Sequence, residues 1–103
     1  MIQPGEAGRT VRSFFDAYLI RRNAEDTLNC VTDTVHWVGT GKSELTVGRN
    51  QAKQALATEF SQMPEPFGIE YDSFDEMVVS DRCAVVLLTA NVYPPGDEAD
   101  AIW

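Results

Sequence analysis

Two long extended stretches, Phe67 to Ser80 and Cys83 to Tyr93, stand on either side of the polar turn Ser80, Asp81, Arg82. With a polar turn between them, they should form one antiparallel hairpin. The run Cys83, Ala84, Val85, Val86, Leu87, Leu88 is apolar at every position, and so on both faces of its strand. That suits a central strand covered by helices on one side and by something else on the other. A partner subunit is one such second cover.

The cover on the first side comes from the N-terminal half. Apolar residues at Val11, Phe14, Phe15, Tyr18 and Leu19 follow the i, i+3, i+4, i+7, i+8 stripe of an amphipathic helix, with Arg12, Ser13 and Asp16 opposite. The spacing predicts a helix from Val11 to Arg22. Thr10 can cap it, while Glu6 and Ala7 allow an earlier start, and Arg21 and Arg22 suit its C-terminus. Asn23 can cap a second helix, Ala24 to Val31, that buries Leu28 and Val31. Asp33 reads as a turn. Val35 to Val38 is a strand, broken by Gly39, Thr40, Gly41, Lys42 and Ser43, and Leu45 to Val47 is a second. After Gly48, Asn50 can cap a third helix to Met63, with Ala52, Leu56, Phe60 and Met63 on one face and Pro64 and Pro66 stopping it. Phe14 or Phe15, Trp37, Leu56, Phe60, Val86 and Leu88 should be nearly buried.

With 103 residues the chain has room for one domain and one modest core, so residues 1–103 are read as a single domain. Eight Lys+Arg against sixteen Asp+Glu leave a net charge of −8, the wrong sign for a nucleic-acid or anionic-membrane partner. No apolar run approaches a membrane span, and the N-terminus does not read as a secretory signal, so a cytoplasmic setting is expected. Cys30 and Cys83 are then expected to be reduced core residues. With a single His and no metal-ligand spacing among the cysteines, no metal site is expected. GTGKSE has only a superficial likeness to a phosphate loop, and no dinucleotide, zinc-protease or hydrolase motif occurs.

This order of elements, with the segments VRSFFDAYL, CVTDTVHWVGTG, GRNQAKQAL and the hairpin around MVVSDRCAVVLL, resembles the nuclear-transport-factor-2-like superfamily. Within it the chain is most similar to SnoaL-like domains, in particular those joined to bacterial signalling modules. The resemblance runs from Val11 to Tyr93. It implies an α+β, NTF2-like or cystatin-like cone: three N-terminal helices packed on a curved antiparallel sheet around an apolar pocket, with no cofactor. The family's sheet usually carries further strands, so a chain ending at Ile102 and Trp103 is expected to be a fragment, truncated at the C-terminal strands.

Carried over by position, the resemblance implies Phe15, Tyr18, Leu19, Trp37, Phe60 and Tyr71 as pocket lining. Taken singly, each of them reads more readily as plain core. The ketosteroid-isomerase-like members need a carboxylate base near the end of the first strand and a helix tyrosine. Here the base position falls at Val38 or Gly39 and the tyrosine position near Phe14, so no catalytic residue is assigned. Tyr18 lies one turn further on. His36 alternates with Trp37 and should point outward if Trp37 points inward. Asp33 reads as a capping turn acid, and Glu70, Asp72, Asp75 and Glu76 mostly as a solvated face. Glu44, Glu65, Asp97, Glu98 and Asp100 read as solubility charge.

The expectation is a non-catalytic sensory or interaction domain that binds a small apolar or aromatic molecule and forms a homodimer through its sheet. The alternatives are a SnoaL-like isomerase, cyclase or hydratase acting on a hydrophobic substrate, and a purely structural dimerisation module.

Overall fold

The computed structural model describes residues 3–38 and 45–95. The glycine-rich break after Val38, with Gly39 and Glu44, lies outside the described residues, as do Asp97, Glu98, Asp100 and the C-terminal Ile102 and Trp103. Helix α1 spans Glu6–Phe15 and continues without interruption into a π-helical turn, Asp16–Ile20. Helix α2 spans Ala24–Leu28, strands β1 and β2 span His36–Val38 and Leu45–Val47, and helix α3 spans Arg49–Gln62. Strands β3, Gly68–Ser80, and β4, Cys83–Tyr93, form the long hairpin. The class is mixed α+β, with two antiparallel pairs, β1-β2 and β3-β4.

Helix α1 starts earlier than Thr10 would allow as a cap. Gly5 stands at its N-terminus with φ 83°, and the Thr10 hydroxyl donates to the Glu6 carbonyl inside the helix. The π-helical turn widens the far end: Arg21 N–H reaches back five residues to the Asp16 carbonyl at 2.9 Å. Arg22 then adopts φ 50°, which ends the helical run before Asn23 caps α2 by accepting from Asp26 N–H at 3.0 Å. Helix α2 stops at Leu28, short of Val31. The Arg49 guanidinium donates to the carbonyl of Leu28, the last helical residue, at 2.8 Å and to the Val31 carbonyl beyond the helix at 3.4 Å.

Residue Gly48, not Asn50, occupies the cap position of α3. Its φ of 86° lets its N–H donate to the Val35 carbonyl at 2.7 Å while Arg49 N–H donates to the Asp33 carbonyl at 3.1 Å. Asp33 thus holds the start of α3 through its backbone. On α3 the expected face is graded. Ala52 and Leu56 are buried, Phe60 is half-buried and Met63 is exposed.

The core gathers Tyr18, Leu19, Leu28, Ala52, Leu56, Phe67 and Val92. Of the residues expected to be nearly buried, only Leu56 is. Phe14, Phe15, Trp37, Phe60, Val86 and Leu88 are half-buried. Lengths explain this: ten residues of α1 rise about 15 Å, whereas thirteen residues of β3 run about 43 Å. The helices therefore cover only part of the hairpin. Along β4 burial alternates strictly, Ala84, Val86, Leu88 and Ala90 half-buried and Val85, Leu87, Thr89 and Asn91 exposed. The apolar run is thus half covered, and the two faces are unequal. Cys83, expected in the core, is exposed at the turn, and Cys30 is half-buried with its thiol near the Asp26 carbonyl.

Candidate functional site

Five aromatic rings meet where α1, the π-helical turn, β1 and α3 converge. Tyr18 is the hub. Its ring lies 5.0 Å from Trp37, 5.9 Å from Phe14 and 6.0 Å from Phe60, centroid to centroid. Phe14 closes the group, edge-on to Trp37 at 5.2 Å and to Phe15 at 5.3 Å. Helix spacing puts Phe14, Phe15 and Tyr18 on one side of their helix. Strand alternation then turns Trp37 toward them and leaves His36 exposed. The His36 ring meets only the Thr34 carbonyl, 2.9 Å from Nδ1, among the described residues.

A polar patch borders the rings. The Tyr18 hydroxyl donates to Glu59 Oε1 at 2.9 Å. Glu59 Oε2 is buried and its nearest cation is the Arg22 guanidinium at 3.6 Å. Arg22 itself is almost wholly enclosed. Its guanidinium lies over the rings of Phe60, Phe67 and Tyr18, 4.4, 4.8 and 5.6 Å from their centroids, and it donates to the carbonyls of Met63 and Tyr18. Glu59 is a site residue that the sequence pattern does not single out. Three residues after Leu56 and beside Phe60, it sits on the inward face that the helix spacing already defined.

Of the six residues expected to line a pocket, the structure brings four into this cluster: Phe15, Tyr18, Trp37 and Phe60. Leu19 is 1% exposed and packs in the core behind it. Tyr71 stands apart, on the inner face of the hairpin. Its ring meets Phe74 edge-on at 5.5 Å, and the Arg12 guanidinium lies over both rings, 4.6 and 4.1 Å from their centroids. Partial burial raises the Tyr71 hydroxyl above its ordinary pKa, and Arg12 opposes that rise. The separation follows from α1 crossing the hairpin, which lays Arg12 on the site Tyr71 would otherwise share.

Elsewhere an open depression of about 300 Å³ is bordered by Gly68, Ile69, Glu70 and Tyr93, none of them among the six. Among the described residues, no group of three or more His, Cys, Asp or Glu side chains converges as a metal site would require. No described helix is long and apolar enough to cross a membrane.

The acidic positions of β3 divide. Glu70, Asp72 and Asp75 are exposed, as expected of a solvated face. Glu76 is not part of it. Its two carboxylate oxygens accept the backbone N–H groups of Gly8 and Gly5, each at 2.6 Å, at the start of α1. Those two hydrogen bonds, Gly8 first, hold its pKa below the usual carboxylate range.

No family model matches the sequence, and no curated protein matches it. Among solved structures, the chain is similar to a domain of unknown function with a cystatin-like fold from Nostoc punctiforme, at 19% identity and a TM-score of 0.69. The match covers 94% of this chain and 60% of that one. The chain thus spans 60% of the length of its structural neighbour, and the likeness supports a related, cone-like α+β fold.

Proposed function

We propose that this chain is an NTF2-like, SnoaL-like sensory domain that binds a small apolar or aromatic molecule without catalysis and pairs with a second copy of itself. The observation that carries the reading is the aromatic cluster around Tyr18. Phe14 from α1, Trp37 from β1 and Phe60 from α3 converge on one ring, Phe15 packs behind Phe14, and all four stay half-buried, with one hydroxyl-carboxylate pair beside them. Apolar walls with few, placed polar groups are the usual make-up of a small-molecule site. A signalling role and a bacterial source rest on the family resemblance alone, and a cytoplasmic setting on the reading of the N-terminus.

The test is a titration with 2-naphthol, followed by Trp37 fluorescence in a Trp103→Phe background. Saturable quenching that Phe60→Ala weakens at least fivefold supports the site. Linear, unsaturable quenching, unchanged by Phe60→Ala, rules it out.

A second reading, a SnoaL-like enzyme, draws on one observation. Glu59 is a carboxylate set among aromatic rings with a tyrosine hydroxyl on it, a pairing that can move a proton at an acidified carbon. Deuterium exchange into the α-carbon of a cyclic enone, catalysed by the wild type and lost in Glu59→Gln, would favour the enzyme. Exchange equal to the buffer rate would leave the binding domain.

A further inference from the structure

We infer that Arg12 and the hydroxyl of Tyr71 form an anion site on the α1 side of the hairpin, and that its ligand is the carboxylate of a small monoanionic molecule. The site is separate from the aromatic cluster around Tyr18 and uses a surface that the proposed function leaves idle. Its first support is a contrast between two arginines that lie over aromatic rings. Arg22 is enclosed and gives its N–H groups to the carbonyls of Met63 and Tyr18. Arg12 is exposed, 4.1 Å from the Phe74 centroid and 4.6 Å from that of Tyr71. Among the described residues its guanidinium makes neither a hydrogen bond nor an ion pair.

In a chain with sixteen Asp+Glu against eight Lys+Arg, an arginine without a carboxylate calls for a cause. Helix spacing offers Arg12 the side chain of Asp16, four residues on. The structure commits Asp16 elsewhere, to Arg21 Nε at 2.8 Å. Glu76, beneath α1, gives both oxygens to the N–H groups of Gly8 and Gly5. Asp72 accepts from the Thr89 hydroxyl at 3.4 Å, and Glu70 and Asp75 stand opposite the exposed Asn91 and Leu87, on the outer face of the sheet. These acids are engaged or face away, so the guanidinium keeps its N–H donors for an outside acceptor.

The rings favour binding there. They hold a side chain that would otherwise lose rotamer freedom on meeting a ligand, and they exclude water from one side of its charge. Tyr71 adds a second donor. Its hydroxyl makes no hydrogen bond among the described residues, and partial burial raises its pKa, so it stays protonated at neutral pH. The Asp16 charge that also reaches this hydroxyl is balanced by Arg21. A planar guanidinium fork matches the two oxygens of a carboxylate. Net charge selects among anions: the field of a chain at −8 repels a carboxylate about half as strongly as a phosphate dianion.

The experiment titrates the isotopically labelled chain with sodium benzoate at constant ionic strength, read by the shifts of its amide and arginine Nε–H signals. Benzamide, the neutral counterpart, and inorganic phosphate are run beside it. The inference expects saturable shifts centred on Arg12, Tyr71 and Phe74, with binding at least fivefold weaker in Arg12→Gln and at least twofold weaker in Tyr71→Phe. Arg12→Lys keeps the charge and loses the fork, and should bind at least threefold more weakly. The amide spectrum of each variant shows directly whether it is folded. Shifts that grow without saturation, benzamide binding as tightly as benzoate, or an affinity that Arg12→Gln and Arg12→Lys leave unchanged would overturn the site. Phosphate binding more tightly than benzoate would overturn the carboxylate. Saturable shifts centred on Trp37, lost in Phe60→Ala and kept in Arg12→Gln, would overturn this inference and leave the proposed function standing.

Discussion

The carboxylate of Glu76 accepts the backbone N–H of Gly8 at 2.6 Å, joining the middle of β3 to the first turn of α1 across 68 residues of sequence. The first N–H groups of a helix have no partner within it, and most helices satisfy them with a neighbouring Ser, Thr, Asp or Asn. Here Gly5 offers no side chain, and the strand beneath supplies the oxygens. The same contact aligns negative charge with the positive end of the helix.

Because the folded state holds the Glu76 pKa below its ordinary value near 4.5, the contact stabilises fully above that value and fades as the pH falls through the lower, folded one. Glu76→Gln should therefore lower the melting temperature at pH 7, with the gap to wild type closing below about pH 4. Thermal melts from pH 3 to 8 measure it. A gap that is constant across that range would mean the carboxylate's charge is irrelevant to the contact.

Replacing Gly8 by alanine would ordinarily favour a helix by about 1 kcal/mol. In this chain the added Cβ would stand 3.0 Å from Phe74 Cε1 and 3.3 Å from Glu76 Oε1. Phe74 has little room to yield, since Tyr71 and Arg12 pack on its ring. Gly8→Ala should thus destabilise by about 1 to 3 kcal/mol, the usual cost of overpacking. Urea denaturation gives the sign directly.

Loss of the Tyr18 hydroxyl removes a donor from Glu59, one of whose oxygens is already buried without a hydrogen bond. Tyr18→Phe should cost about 1 to 3 kcal/mol, as expected for a hydrogen bond to a charged group. Combining it with Glu59→Gln should recover part of that loss, and a double-mutant cycle in guanidinium chloride would show the coupling.

Leu19 and Leu87 make a matched pair for the burial gradient. Leu19→Ala should cost about 2 to 5 kcal/mol because its side chain is 1% exposed. The 61% exposed Leu87 should lose under 1 kcal/mol from the same change at concentrations where the chain is monomeric. Equal losses would show that Leu87 is covered in solution.

Much of the architecture is legible because its signals are local. Two long extended stretches and the Ser80-Asp81-Arg82 turn locate the hairpin, Asn23 caps the helix it was expected to cap, and Leu45–Val47 falls where it should. The aromatic cluster follows from helix spacing and strand alternation in the same way. What escapes is set by packing between distant segments. Nothing near Glu76 in sequence hints that a helix start seventy residues earlier lies above it, and nothing near Tyr71 shows that Arg12 will cover its ring. Glu59 is the intermediate case: its position on the Leu56 and Phe60 face was available, but nothing near it in sequence points to the Tyr18 hydroxyl and Arg22 that it meets.

The π-helical turn Asp16–Ile20 works as a phase adjuster. A helix advances about 100° of rotation per residue, so the residue absorbed in the wide turn sets the angular offset between α1 and everything after it. Upstream of it the helix presents Phe14 to Trp37, and downstream it delivers Arg22 to the rings of Phe60 and Phe67. Deleting one residue there would restore an unbroken α-helix and leave Arg22 facing much as it does now. Forcing the same residues into an α-helix with none removed would instead rotate everything beyond the turn by about a quarter-turn and carry Arg22 away from Glu59.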